Sequence, residues 1–501
     1  MECHPEDKMA AEGKPWLDVS LNPDGAEDVA SRSSREDSLR DNWSSKWDYI
    51  LSVIGLTIGL GNVWRFPYIC YMNGGGAFLV PYLLMLVLVA LPLFLLESAI
   101  GQFSSSSCIG IFSACPVFRD WILHHTRRSH CSSSTTPSGE NFPGPPVTTN
   151  GTQIELHEDP TDFVANKTDN GTKTAVSSAD EFFHNEVLRI SSGVGEVGGL
   201  VWPIVGAVLF TWLIIFLANF KGVRVLGKVV WLTATFPYVM LTILLIRGMT
   251  LPGAWDGIYF YIYPNFDKLR QPKVWAAAAV QIFFSMTPGY GVLTTMSSHN
   301  KFRSSSMRTA KIVPIVCAMT SISVGFVVFS VLGFMAHRLG TTVDKVTAAG
   351  SGLAFIIYPE ALSLMPLAPL WCVLFFLMLF FVGIDSCFGV VESLLTVITS
   401  EFPQIRGWRG CLTFVICAVI FVGNGVIYSQ AGIYWLTLVD WYVSSFTATL
   451  NCICELMVFS YIYGVGRTIR DLQMMTNKTV SYFWYATWLV ITPILTVVSG
   501  A

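Results

Sequence analysis

Charge is what this chain has least of. Lys, Arg, Asp and Glu make up only 13% of its 501 residues, about half the share of an average soluble domain. Hydrophobic residues make up 52%, so the shortage excludes a soluble globular chain and points to a bilayer as the solvent. A basic field is missing too. The net charge is -3 and the 31 Lys and Arg are scattered through short loops, which sets nucleic acid aside as a partner. No CxxC metal pattern occurs. Most of the 12 cysteines, among them Cys70, Cys317, Cys372, Cys387, Cys417, Cys452 and Cys454, lie in apolar segments as small hydrophobes. No Ser/His/Asp set or phosphate loop falls in a plausible site, so an enzyme has little support. Residues 1–47 are polar and acidic, without a charged start followed by an apolar run. They read as a disordered cytoplasmic tail with no cleavable signal, leaving the first membrane helix to target the chain.

What is present is a series of long apolar runs. A bilayer core takes roughly 20 predominantly apolar residues per helix. Such runs lie near 48–70, 77–100, 199–219, 229–247, 274–298, 309–336, 367–398, 410–429, 433–463 and 481–499, which makes about ten spans. They are too long, and too poor in period-two alternation, for barrel strands. The expectation is an all-α polytopic membrane protein.

Lys and Arg gather on alternate loops: Lys221, Arg224 and Lys228; Lys301, Arg303, Arg308 and Lys311; Arg406 and Arg409; Arg467, Arg470 and Lys478. These loops are placed on the cytoplasmic side. Residues 101–198 form a polar stretch with sequons at Asn150, Asn166 and Asn170, expected to be a glycosylated extracellular loop. The parity does not close. With the N-terminus inside, helix two ends inside at Gly101, yet the run from 199 must begin outside to end at Lys221. The most apolar part between them, 108–123, is short and contains Arg119 and Asp120.

Two runs carry breaks. GLTIGLGNVWRFPY at 55–68 puts Gly55, Gly59, Gly61 and Asn62 in mid-membrane, and FFSMTPGYG at 283–291 interrupts a second run with Pro288, Gly289 and Gly291. Glycine weakens a helix by about 1 kcal/mol relative to Ala, and carbonyls freed in lipid need partners. Close helix packing through small residues is one explanation. The other is a broken helix whose carbonyls hold a cation, since two interrupted helices in corresponding halves are the mark of an inverted-repeat transporter. Asp385 adds a lone carboxylate in an apolar span, costly unless it meets a cation.

GLGNVWRFPY, NGGGAF at 73–78 with Pro81 and Tyr82, and GIDS at 383–386 together resemble the neurotransmitter:sodium symporter family, in its amino-acid branch of glycine- and proline-transporter type. The resemblance implies a LeuT-type inverted five-helix repeat with broken helices 1 and 6. On that frame 48–100 holds helices 1 and 2, and 199–499 holds helices 4 to 11. Helix 3 is missing from 101–198, and helix 12 is cut off at 501. A sodium site is implied at Gly55, Ile58, Val382, Asp385 and Ser386, and another at Thr57, Asn62 and Ser285. Chloride, the candidate second ion, is implied at Tyr82, Gln281, Ser285 and Ser321. Where the family usually carries an Asn in helix seven, this chain has Cys317, a poor ligand for Na⁺ and a weak donor to Cl⁻.

Substrate contacts are implied at Gly59, Gly61, Phe284, Thr287, Tyr290, Ser386 and Gly389. Monoamine carriers of the family place an Asp where this chain has Gly59, so the substrate is expected to bring its own carboxylate. Arg65 and Asp440 are implied as an outer gate. Arg40 and Trp43 are implied at an inner one, where Glu401 neighbours the usual acid position, now Ser400, and His299 replaces a supporting Tyr. The function implied is sodium-coupled symport of a small neutral amino acid or transmitter at the plasma membrane by a multi-pass protein. The alternative is a non-transporting splice form or fragment that only associates with full-length partners. Homo-oligomerisation is left open.

Overall fold

The computed structural model describes residues 42–112, 181–304, 306–343, 355, 358–363, 366–442 and 447–500. Among them there is no strand, only two isolated bridges, Gly75 with Pro264 and Leu200 with Ser429. Helices in lipid satisfy their own backbone, and the apolar runs do so here. Arg40 and the sequons at Asn150, Asn166 and Asn170 lie outside the described residues, as does most of 101–198, so the expected absence of a third helix there falls outside them too.

The first run folds as α1 (Lys46–Thr57), capped by the Ser45 side chain, and α2 (Gly61–Met72), bent 55° against each other. Then follow α3 (Gly76–Ser104), α4 (Trp202–Asn219), α5 (Val223–Met249) and the shorter α6 (Ala254–Ile262). The second broken run gives α7 (Pro272–Met286) and α8 (Val292–Ser297), followed by α9 (Ser306–Leu339) and α10 (Ala368–Glu401). The C-terminal part consists of α11 (Arg409–Gly423), α12 (Gly432–Tyr442), α13 (Ala448–Ile462), α14 (Val465–Thr476) and α15 (Tyr482–Ser499).

Among the described residues, seven helices are each long and apolar enough to cross a membrane, and two bent pairs, α1 with α2 and α13 with α14, bring the number to nine. The run expected at 274–298 falls short because α7 and α8 have 15 and 6 residues on either side of its break. The 88° turn between α13 and α14 directs α14 away from the axis of α13. Burial sorts the helices: 61% of the apolar window of α3 and 67% of that of α9 are covered, against 17% for α4 and α11. So α3 and α9 form the core with α1, while α4 and α11 present Leu209, Phe210, Val419 and Val422 outward.

The two faces are fixed by cross-links. Trp43 Nε1 donates to the Met296 carbonyl at 3.1 Å, and Gln102 Nε2 donates to the Phe302 and Ser304 carbonyls at 2.9 Å each. The N-terminus, the end of α3 and the 296–304 loop therefore share one face. On the other, Arg65 meets Asp440, Ser191 N donates to the Gln430 carbonyl, and Phe183 stacks on Phe355. Residues 101–112 thus lie on the first of these faces and 181–200 on the other.

Candidate functional site

The α1–α2 bend exists because Ile58 leaves the helical region (φ -94°, ψ 82°), and α2 starts with a wide π turn at Gly61–Arg65. Residues 58–60 therefore interrupt the regular α-helical ladder. At the second break Thr287, Gly289 and Gly291 all have positive φ, of 46°, 78° and 70°. Glycine takes that conformation without a steric penalty, whereas Thr287 bears strain.

Asp385 on α10 faces the first break. It is 4% exposed, and its Oδ1 has no hydrogen-bond partner. A Cβ on Gly55 would come within 2.7 Å of its Oδ2, so only glycine allows this approach. Ser386 Oγ donates to the Leu56 carbonyl at 3.3 Å and the Gly55 carbonyl at 3.5 Å, which ties α10 to the end of α1. Gly55, Ile58, Val382 and Asp385 line one cavity. A carboxylate and backbone oxygens in a dry span form a hard-oxygen set of the kind that suits an alkali cation. Left alone, the carboxylate carries a desolvation penalty of several kcal/mol.

The same cavity is lined by Thr233, Tyr238 and Thr320, which sequence reasoning missed. A signal was present in Pro237, inside α5, which has no N–H to donate to the Thr233 carbonyl four residues earlier. Thr320 Oγ1 donates to Tyr238 Oη at 3.2 Å across the cavity wall.

Beside this cavity, Thr57, Asn62 and Ser285 converge on the Cys317 sulfur. It lies 2.9 Å from Ser285 Oγ, accepts from Asn62 Nδ2 at 3.2 Å and donates to the Thr57 carbonyl at 3.9 Å. Next to it Tyr82 Oη donates to Ser321 Oγ at 3.5 Å, and Gln281 Nε2 donates to the Gly61 carbonyl at 3.4 Å. The four residues proposed for chloride are thus neighbours in one buried cluster.

The substrate candidates surround the break. Gly59 lies against Ser386 Oγ, where a Cβ would make ordinary contact at 3.4 Å. A Cβ on Gly61 would fall inside the Phe284 ring, and one on Gly389 would press on Leu56. Thr287 Oγ1 is buried without a partner, and Tyr290 is half-buried. Above them Arg65 lies 4.5 Å over the Phe284 ring and 3.6 Å from Asp440. Below, Trp43 is pinned to Met296, and His299 Nε2 bonds to Thr396 Oγ1 at 3.1 Å. Glu401 is half-buried at the end of α10.

Glu97 was also missed. Fully buried on α3, it accepts from the Gly289 N–H at 2.7 Å and from Thr294, holding the second break in place. The signal was the one that singled out Asp385, a carboxylate in an apolar run. Glu392 shows that the signal is not specific, because its carboxylate is neutralised by Arg409 at 2.6 Å.

These elements define a class: an all-helical, multi-pass membrane protein whose two broken helices meet around buried polar groups. The profile of the sodium:neurotransmitter symporter family matches residues 40–123 and 147–499, and the chain belongs to that family. It is a family of transporters with the LeuT-type fold, not of enzymes. The chain is 40% identical to the sodium- and chloride-dependent glycine transporter 2 of Xenopus laevis, over 93% of its own length and 64% of the relative's. It is 37% identical to glycine transporter 1 of the same frog, over 95% and 80% of the two chains. Against the human sodium- and chloride-dependent neutral and basic amino acid transporter B(0+), the identity is 39% over 92% and 79%. The chain therefore spans just under two thirds of the first relative's length and about four fifths of the other two.

Proposed function

We propose that this chain is a symporter that carries a small neutral amino acid across the plasma membrane by alternating access, driven by sodium and with chloride as the second ion. The observation that carries this is Asp385, a carboxylate oxygen without a partner in a cavity beside the α1–α2 break. A cation drawn there removes the penalty of the buried charge and, through Ser386, holds the carbonyls of Gly55 and Leu56 in position. Glycine at position 59 supplies no side-chain anion, so the substrate brings its own carboxylate. The N–H groups at the start of α2 are the fitting donors. Gly61, Phe284, Thr287, Tyr290 and Gly389 wall the solute in, and the contact of Arg65 with Asp440 closes the outer side. The resemblance to two glycine transporters and a neutral and basic amino acid carrier supports this substrate class. Asn150, Asn166 and Asn170 would then carry glycans on the outer face.

A second reading rests on a specific observation. Residues 112 and 181 lie on opposite faces, the sequence between them has no long apolar run, and the family profile breaks at 124–146. That favours a form that reaches the membrane but does not transport. Uptake of labelled glycine and proline into vesicles containing the purified chain decides between the two. Uptake that collapses when sodium is replaced by choline supports symport. Absence of uptake by protein that binds sodium and reaches the cell surface overturns symport in favour of the second reading.

A further inference from the structure

The Cys317 cluster has the outline of an ion site but not its chemistry. A backbone carbonyl, an amide and a hydroxyl, from Thr57, Asn62 and Ser285, point at one spot from three helices, α1, α2 and α7. The spot is occupied by sulfur from α9. Cys317 is fully buried, and Asn62, only 1% exposed, turns its Nδ2 to that sulfur and leaves its Oδ1 without a partner. A sodium ion takes oxygen ligands, whereas a thiol is soft, with a weak donor and a weak acceptor. Among the described residues no carboxylate makes a hydrogen bond in the cluster, so none of them requires a cation there for charge balance. The Asp385 cavity is the opposite case.

We infer that Cys317 closes this second position to sodium, so that the chain binds a single sodium ion, at Asp385. The inference rests on the proposed sodium dependence and specifies its stoichiometry. The thiol hydrogen-bonds to the Thr57 carbonyl and takes up the Asn62 amide hydrogen, so both groups serve the protein's own packing. Cys317 is thereby a specificity-determining residue, one whose side chain sets how many ions accompany each solute.

The test is equilibrium binding of radioactive sodium to the purified full chain in lipid nanodiscs, with bound ions counted per chain. One ion is expected for the natural chain, close to two for Cys317→Asn, and one for Cys317→Ala, which removes the sulfur without adding an oxygen. Cys317→Ser offers a hydroxyl of similar size, should the larger amide disturb folding. It is expected to raise occupancy of the second position at high sodium. Two ions on the natural chain, or loss of the single ion in Cys317→Ala, overturns the inference while leaving sodium coupling intact. An unchanged count of one in both the Asn and Ser variants, with each folded, overturns it as well. A natural chain that binds no sodium removes the proposed function itself.

Discussion

The cavity at Asp385 and the cluster at Cys317 flank the same bend of the first helix pair, yet they are opposite solutions to placing polar groups in lipid. One holds a carboxylate with an idle oxygen. The other holds a neutral thiol bonded to an amide and a hydroxyl, and the oxygen it leaves idle, Asn62 Oδ1, carries no charge. The difference teaches that geometry alone does not make an ion site. Both spots gather polar groups from several helices, but only the charged one remains costly until something cationic arrives.

The strongest way to break that comparison is to remove the charge. Asp385→Ala is expected to weaken sodium binding by roughly 100-fold or more, about 3 kcal/mol, measured by the same equilibrium binding. Retained affinity would make the two pockets equivalent and defeat the reading. Next in size is Gly55→Ala, whose added carbon meets Asp385 Oδ2 at 2.7 Å. Overpacking of this kind costs about 1–3 kcal/mol. Thermal unfolding in detergent and a rise in the sodium Kd should both register it, whereas the same substitution at Gly59, which has ordinary clearance, should cost less.

Glu97→Ala sharpens the contrast from the other break. It strips the acceptor from the Gly289 N–H and leaves a buried donor unsatisfied, a loss of about 1–3 kcal/mol. Hydrogen exchange over residues 287–291 is expected to quicken, with sodium binding at Asp385 changed far less. The smallest effect belongs to the outer contact. Arg65 and Asp440 are 3.6 Å apart with the Asp440 side chain 47% exposed, so water screens the pair. A double-mutant cycle on thermal stability is expected to give a coupling under about 1 kcal/mol. A larger value would show that this pair, like Asp385, acts as a desolvated charge.

Particular residues show how far the site could be read in advance. Asp385, Gly55 and the two glycine-rich breaks stood out because charge and glycine are rare and costly in an apolar helix, so each is a local signal visible in one dimension. Thr233, Tyr238 and Thr320 did not, because hydroxyl side chains are common in such helices, and the two threonines bond back to the Val229 and Val316 carbonyls of their own helices. Only the meeting of α5 and α9 makes them a cavity wall. Glu97, Glu392 and Asp385 look alike as letters. One is held by a backbone N–H, one by an arginine, and one is left with a free oxygen, and that distinction exists only once the helices are packed.

Composition and apolar run length by themselves determined that this chain is a bundle of membrane-crossing helices, because lipid forbids any exposed backbone that is not hydrogen-bonded within its own segment. The parity of its charged loops also singled out residues 101–198 as the stretch where an odd number of crossings is expected. The tertiary structure decided which polar groups meet across helices. It set a thiol at the centre of three would-be ligands and left the Asp385 carboxylate one oxygen short of a partner. Those facts depend on distances between residues hundreds of positions apart, which no local pattern encodes.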